Sequence, residues 1–256
     1  MYNEFIFRPL YNGLVGILDF IPGIDVGIAV IIFTVIIRLI LFPLYKHSLL
    51  AQVKMKSVEP ELNKIKAQYS DNRQVQGVKI MEFYKANDIH PFRSLLLPII
   101  QLPVLLGIIS VFYKIIPAVQ PDLLYSFIHI PVIKPTFLGF DLTSRSLVLS
   151  LFTGIIQYLQ LHYSILARQQ RVATANNKAL SAGKDAAKNS AVTDTMGAMN
   201  TQMQFMVPLL AFASTYWFIP WKFPQAAAIV ALYWSTSTLF TLGQELYIRK
   251  KYLEKK

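Results

Sequence analysis

The sequence predicts an all-α integral membrane protein with five transmembrane helices around a polar groove, a cytoplasmic helical hairpin and an N-terminal interfacial helix. Three observations predict it. Hydrophobic residues make up 54% of the chain and charged ones only 15%, with a mean hydropathy of +0.42. The apolar residues gather into runs close to the ~20 residues that a helix needs to cross a bilayer core of roughly 30 Å. The basic residues lie between those runs and favour one side.

Residues 1–23 come first. Phe7, Leu10, Leu14, Ile17 and Leu18 recur at helical spacing in a segment too polar to span, which predicts an amphipathic helix lying in the outer interface. Met1-Tyr2-Asn3-Glu4 carries no basic cluster ahead of an apolar run, so no signal peptide is expected. Pro22-Gly23 turns the chain into a first span, 24–45. Segment 46–93 reads as a cytoplasmic hairpin of two helices. Leu50, Val53, Val58, Leu62, Ile65 and Tyr69 form one stripe, and Val75, Val78, Met81 and Tyr84 another. Pro60 suits the first turn of a helix, with Glu61 favourable near its N-terminus, and Asp71-Asn72 marks the turn. A second span at 94–116, an external loop at 117–145 and a third span at 146–166 follow. Residues 167–200 form a cytoplasmic loop, flexible by composition over 172–195. A fourth span at 201–219 ends at Pro220-Trp221-Lys222-Phe223-Pro224, which reads as a tight turn. A fifth span occupies 225–247, and a basic tail 248–256 closes the chain.

Charge sets the orientation. Nineteen Lys and Arg residues fall in 46–93, 167–200 and the tail, against five in the segments on the other side. The positive-inside rule therefore places the N-terminus outside and the C-terminus in the cytoplasm. Tyr216, Trp217, Trp221 and Phe223 fall at the outer interface, where amphipathic rings are favoured.

The polar residues inside the spans are ordered. In the third span Ser146, Ser150, Thr153, Gln157, Gln160 and Ser164 share one helix face; in the last, Trp234, Ser237, Thr238, Thr241 and Glu245 do. The first span holds Thr34 and Arg38 on one face, and the second holds Ser94 and Gln101. Such stripes either tie helices together or line a groove, and two glutamines and an arginine favour the groove. Arg38 stands eight residues before Lys46, about 12 Å into the membrane. A mid-bilayer arginine costs roughly 2.5–3.5 kcal/mol on insertion scales. It either snorkels to the inner interface or keeps its charge in a wet, protein-lined cavity that attracts acidic segments of a passing chain. Met196, Met199, Met203 and Met206 recur at helical spacing, as packing residues or as an adaptable apolar surface.

The chain has no cysteine. No phosphate-binding glycine loop, metal-ligand spacing or catalytic cluster is present, and His162 reads as an interface residue. No catalytic residue, metal or cofactor is expected.

These residues resemble the bacterial YidC, mitochondrial Oxa and chloroplast Alb insertase family over about residues 5–250. Residues 8–44 look like its interfacial helix and first core span, with Arg38 at the groove arginine. Residues 58–69 (VEPELNKIKAQY) and 82–91 (EFYKANDIHP) look like its cytoplasmic hairpin, which points to Pro60, Glu61, Tyr69, Tyr84 and Pro91. Residues 95–107 (LLLPIIQLPVLLG) and 232–244 (LYWSTSTLFTLGQ) match its second and last spans. The resemblance carries over Thr34, Arg38, Gln101, Gln160 and Trp234 as groove residues; Gln157, Ser237 and Thr241 follow from the stripes. His90-Pro91 stands where the family usually has Asn-Pro, Thr238 replaces a frequent Asn, and the turn before the last span is longer. The resemblance implies no enzyme but a membrane insertase and chaperone in the bacterial inner (plasma) membrane. Its groove opens to cytoplasm and lipid, and nascent segments slide along helices two and last. Its partners are nascent membrane proteins, membrane lipids, the ribosome and the Sec translocon, and not DNA. The competing reading is a small-solute transporter or channel, which calls for repeats or a midplane ion site; the sequence has neither.

Overall fold

A computed structural model of the chain describes residues 2–90, 96–116, 118–181, 190–224 and 227–253. These are helical almost throughout and fall into two compact units: residues 1–40, 103–170 and 186–256, and residues 41–102 with 171–185.

The first unit begins with a π-helical turn, Asn3–Phe7, that runs into α1 (Arg8–Phe20). Pro9 follows directly on that turn and adds no N–H to the helix there. Phe7, Tyr11, Leu14, Val15 and Leu18 turn inward. Asn12 is 3% exposed and uses its whole amide. It donates to the carbonyls of Arg8 (2.8 Å) and Leu123 (2.9 Å) and accepts the N–H of Tyr125 (2.7 Å). This one side chain fastens α1 to the loop after α6. Asn12→Ala strands the Tyr125 N–H and leaves the Leu123 carbonyl only the 3.4 Å bond from Arg8 Nε, and is expected to cost about 1–3 kcal/mol, read as a lower unfolding temperature in detergent.

Helix α2 (Val26–Ile40) packs against α1 and α10 (Ala227–Ile248). Its first turn is clamped by a small hairpin, β1 (Thr136–Phe137) and β2 (Phe140–Asp141), paired antiparallel. The Val26 N–H donates to the Lys134 carbonyl at 3.0 Å, and Thr136 Oγ1 donates to Asp25 Oδ1 at 3.2 Å. Gly27 permits the approach: a Cβ there would lie 2.6 Å from Phe137 Cδ2. Leu138 and Gly139 take positive φ at the hairpin tip, as a tight two-residue turn requires. Asp141 accepts the N–H and hydroxyl of Thr143, which holds its carboxyl below the usual carboxylate range. From α6 (Leu96–Ile115), Ile108, Val111, Phe112 and Ile115 join this core.

The core sits at one end of the unit. On α10 all residues from Ala228 to Tyr233 are buried, and on α2 the buried positions run from Val26 to Thr34. Further along both helices the inward positions turn polar, and that change places the site. Helix α7 (Leu147–Ser181) flanks α10; its other face exposes Leu147, Val148, Leu151, Phe152, Ile155 and Leu159.

Helix α8 (Ser190–Ala213) passes through a π-helical turn, Ser214–Phe218, into α9 (Ile219–Lys222). The expected turn at 220–224 is therefore corrected: helix continues to Lys222. Pro220 follows directly on the π-helical turn and adds no N–H to the helix there. Phe212, Tyr216 and Trp217 form an aromatic cluster there, and Trp217 and Trp221 are exposed. Gln202–Lys222 is, among the described residues, the one helical run long and apolar enough by itself to cross a membrane. Val26–Ile40 and Phe42–Met55 reach that standard together.

That pair corrects the first span, expected as unbroken over 24–45. Helix α2 ends at Ile40 and α3 (Phe42–Ser57) begins after Leu41. Pro43 explains the break, because its ring and missing N–H oppose an unbroken helix. The stretch 172–195, expected to be a flexible loop, is helical through Ser181 and again from Ser190; residues 182–189 lie outside the described residues.

The second unit holds α3 and the two arms α4 (Glu59–Gln68) and α5 (Arg73–Ala86). Pro60 lies in the first turn of α4 and Tyr69 caps its end. Asn72 caps α5, its side chain accepting the Val75 N–H at 3.1 Å. Gln76 reaches back to the carbonyl of Lys66 (2.7 Å), locking arm to arm. Glu61 is exposed, and Tyr69 and Tyr84 are half-buried. The inward face of α5 differs from the expected stripe: Val75, Val78 and Met81 are exposed, while Gln76, Ile80, Phe83 and Tyr84 turn in. The arm-to-arm bond of Gln76 sets that rotation. Pro91 and Ser94 lie outside the described residues.

Candidate functional site

Where the first unit's core ends, α2, α10 and α7 carry their polar residues toward one another. Thr34 is fully buried and returns its hydroxyl to the Val30 carbonyl at 2.6 Å, so it is satisfied within its own helix. One turn on, Arg38 is half-buried. Its Nε donates to Ser237 Oγ at 2.9 Å, and its Nη2 donates to the same oxygen. The Arg38 carbonyl accepts Gln244 Nε2 at 3.0 Å. Helices α2 and α10 are thus tied twice, once through the arginine's side chain and once through its backbone. Thr241 donates to the Ser237 carbonyl at 2.7 Å.

The neighbouring face of α10 is joined to α7. At the deep end Thr153 contacts the Ala231 carbonyl (3.1 Å) and the Ser235 hydroxyl (2.8 Å). Trp234 Nε1 then donates to Gln157 Oε1 at 3.1 Å, and Thr238 to the same oxygen at 3.4 Å. Gln157 Nε2 reaches Gln160 Oε1, and Gln160 Nε2 reaches Ser164 Oγ, each at 3.3 Å. Ser164 donates to Glu245 Oε2 at 2.6 Å. Arg249 closes the row, its Nε 2.9 Å and Nη2 2.5 Å from Glu245 Oε1. Both side chains of this ion pair are only 3% exposed.

Seven of the sequence-selected groove residues therefore share one unit: Arg38, Ser237 and Thr241 in the α2–α10 tie, Gln157, Gln160 and Trp234 in the α7–α10 row, and Thr34 bonded within its own helix. Gln101 belongs to the other unit, half-buried on α6. Three residues of these bonds fall in no stripe: Ser235, Gln244 and Arg249, the last of which reads as part of the basic tail; Glu245, the last member of the α10 stripe, meets Ser164 and Arg249. The i, i+4 spacing of Glu245 and Arg249 is the available signal. On the far side of α7, His162 stacks on Tyr158 and pairs with Gln204 of α8. Met203 and Met206 are exposed, so they are not packing residues.

Residues 17–256 match the protein family described as the 60Kd inner membrane protein. The chain belongs to the YidC insertase family. A Fusobacterium nucleatum protein named membrane protein insertase YidC is 27% identical over 226 residues, covering 88% of this chain and 86% of that one. A protein of the same name from Staphylococcus aureus strain JH9 is 26% identical over 255 residues, covering 95% and 73%. The YidC-family match starts at residue 17, within α1, and takes in every residue of the network above.

Proposed function

We propose that this chain is a multi-pass inner-membrane insertase and chaperone that passes nascent hydrophobic segments from the cytoplasm into the bilayer along a groove carrying Arg38. The observation that carries the proposal is the position of Arg38. It is a partly buried guanidinium on a helix of apolar residues, bonded to Ser237. Family membership and the relatives' shared name support the same reading.

The membrane reading rests on the exposed faces. Along α7, and at Phe205, Leu209 and Leu210 of α8, large apolar side chains face outward in continuous bands. Soluble surfaces rarely carry apolar patches so extended. In this reading five spans run N-out and C-in: α2 continuing into α3, α6, α7, α8 with its extension, and α10. The polar stripes of α7 and α10 lower their mean hydropathy, which is why neither stands out as a plain span.

The groove works by differential solvation. A polar segment leaving water for hydrocarbon loses hydrogen bonds worth several kcal/mol per group. In the proposed groove Arg38, Gln157, Gln160 and Ser237 would supply partners part of the way, and the core around Tyr11, Phe112 and Ile229 would close the outer end. The hydrophobic segment then leaves sideways into lipid. In this proposal the hairpin α4–α5 receives the nascent chain, and the ribosome and the Sec translocon are partners, as the family resemblance implies.

The test is complementation. In a bacterium depleted of its own insertase, expression of this chain is expected to restore insertion of a small two-span substrate, scored by protease protection. Stable expression without restored insertion refutes the proposal.

A further inference from the structure

We infer that the cleft between α1, α2 and the loop at 125–128 holds one acyl chain of a membrane lipid whose headgroup carries an ammonium, as in phosphatidylethanolamine, with that ammonium at Asp19. The inference rests on the membrane reading above, and its site shares no residue with the polar rows of α2, α7 and α10.

The cleft has a volume of about 660 Å³. Gly16 and Ile17 of α1, Ile32 and Ile36 of α2, and Phe127 and Ile128 of the loop line it. Asn12 also reaches it, but its amide is spent on Arg8, Leu123 and Tyr125. The walls are tied together, because the loop gives its Tyr125 N–H to Asn12 and its His129 N–H to Asp19. Phe20, Ile36 and Phe127 are exposed at the edge, so an apolar lining opens onto an apolar surface. Water is poorly held in such a place, since it needs two or more polar partners.

Size decides between the apolar occupants. A spanning helix is about 10 Å across and about 30 Å long, several times the volume of the cleft, so a client helix does not fit. Ile36 stands ten residues along α2 from Val26, about 15 Å of helix. That is half of a hydrocarbon core of roughly 30 Å, the reach of one acyl chain in one leaflet. Charge then selects the headgroup. Asp19 lines the cleft and is partly buried. Its Oδ2 accepts the His129 backbone N–H at 3.1 Å and faces the His129 ring Nδ1 at 3.4 Å. Its Oδ1 has no hydrogen-bond partner among the described residues. A carboxylate oxygen only accepts, and an ammonium brings it both donors and the opposite charge. Phosphatidylglycerol brings hydroxyl donors on a lipid that is itself anionic.

The test is photocrosslinking of the full chain in phosphatidylcholine vesicles. They carry a trace of phosphatidylethanolamine or of phosphatidylglycerol with a diazirine on the acyl chain, and mass spectrometry locates the crosslinks. Wild type is expected to concentrate them on the cleft and to favour phosphatidylethanolamine. Asp19→Asn removes the charge and keeps an oxygen for the His129 N–H. It is expected to lower the preference roughly fivefold, the upper worth of a partly exposed ion pair. At Gly16 a Cβ would lie 3.6 Å from Ile128 Cδ1, an ordinary contact, so Gly16→Leu fills the cleft without forcing the backbone. It is expected to abolish cleft crosslinks for both lipids and to leave those on the outward face of α7 unchanged. Ile36→Trp, at an exposed position, closes the cleft from α2 and gives the same reading if Gly16→Leu does not fold. Cleft crosslinks no denser than those on α7 overturn the site. Equal capture of both lipids by wild type overturns the ammonium assignment. Crosslinks nowhere on the chain overturn the membrane reading and the inference together. Cleft capture by a protein that fails complementation upholds the inference and overturns the insertase reading alone.

Discussion

Arg38→Ala is expected to cut insertion of a two-span substrate with acidic residues in its translocated loop by roughly ten- to a hundredfold. That range is the worth of one hydrogen bond to a charged group, about 1.5–3 kcal/mol. A substrate with a neutral loop is expected to insert nearly as before, and Arg38→Lys to restore most of the loss. The split follows from what the residue does twice over. Its side chain offers a charge half open to the groove, whereas its backbone carbonyl, held by Gln244 at 3.0 Å, ties α2 to α10. Alanine removes the first and keeps the second, so the variant is expected to fold. Protease protection of both substrates in the same depleted strain is the measurement. Equal loss for acidic and neutral loops would make Arg38 a structural tie to Ser237 and nothing more.

How far the sequence announces this arrangement depends on what kind of signal each residue gives. Periodicity is strong in α7 and α10, because a polar residue on every turn of an apolar helix is costly in lipid unless the whole face meets polar neighbours. Gln157, Gln160, Trp234 and Ser237 are legible for that reason, and they do meet polar partners in space. What the stripe cannot show is which neighbour each residue faces. Glu245 lies on the α10 stripe, yet its partners are Ser164 on another helix and Arg249 one turn later. Arg249 is masked by Lys250 and Lys251, which make it look like solvated tail. Burial separates them: Arg249 is 2% exposed, whereas Lys250 is open to solvent. The break at Leu41 has a local cause in Pro43, but an apolar run conceals it, since hydropathy averages over the kink. The rotation of α5 depends on Gln76 bonding across to Lys66, a tertiary contact that no pattern within α5 contains.

Glu245→Ala is expected to be the most destabilising single change in the first unit, at about 3–5 kcal/mol, because it leaves a buried guanidinium without its counter-charge. Arg249 has no slack to absorb the loss, since its Nη1 already lacks a hydrogen-bond partner among the described residues. Thermal unfolding in detergent, followed by size-exclusion of a fluorescent fusion, is the measurement. The double change Glu245→Ala with Arg249→Met is expected to recover most of the stability, as apolar replacements of buried pairs commonly do. If stability returns in the double variant, the pair is not retained for stability, and its use lies elsewhere. The carboxylate also accepts the Ser164 hydroxyl at 2.6 Å, so without it Ser164 loses that partner, while the Trp234 indole still holds the Gln157 oxygen at 3.1 Å. In the double variant the α7–α10 row is therefore expected to persist without its last link.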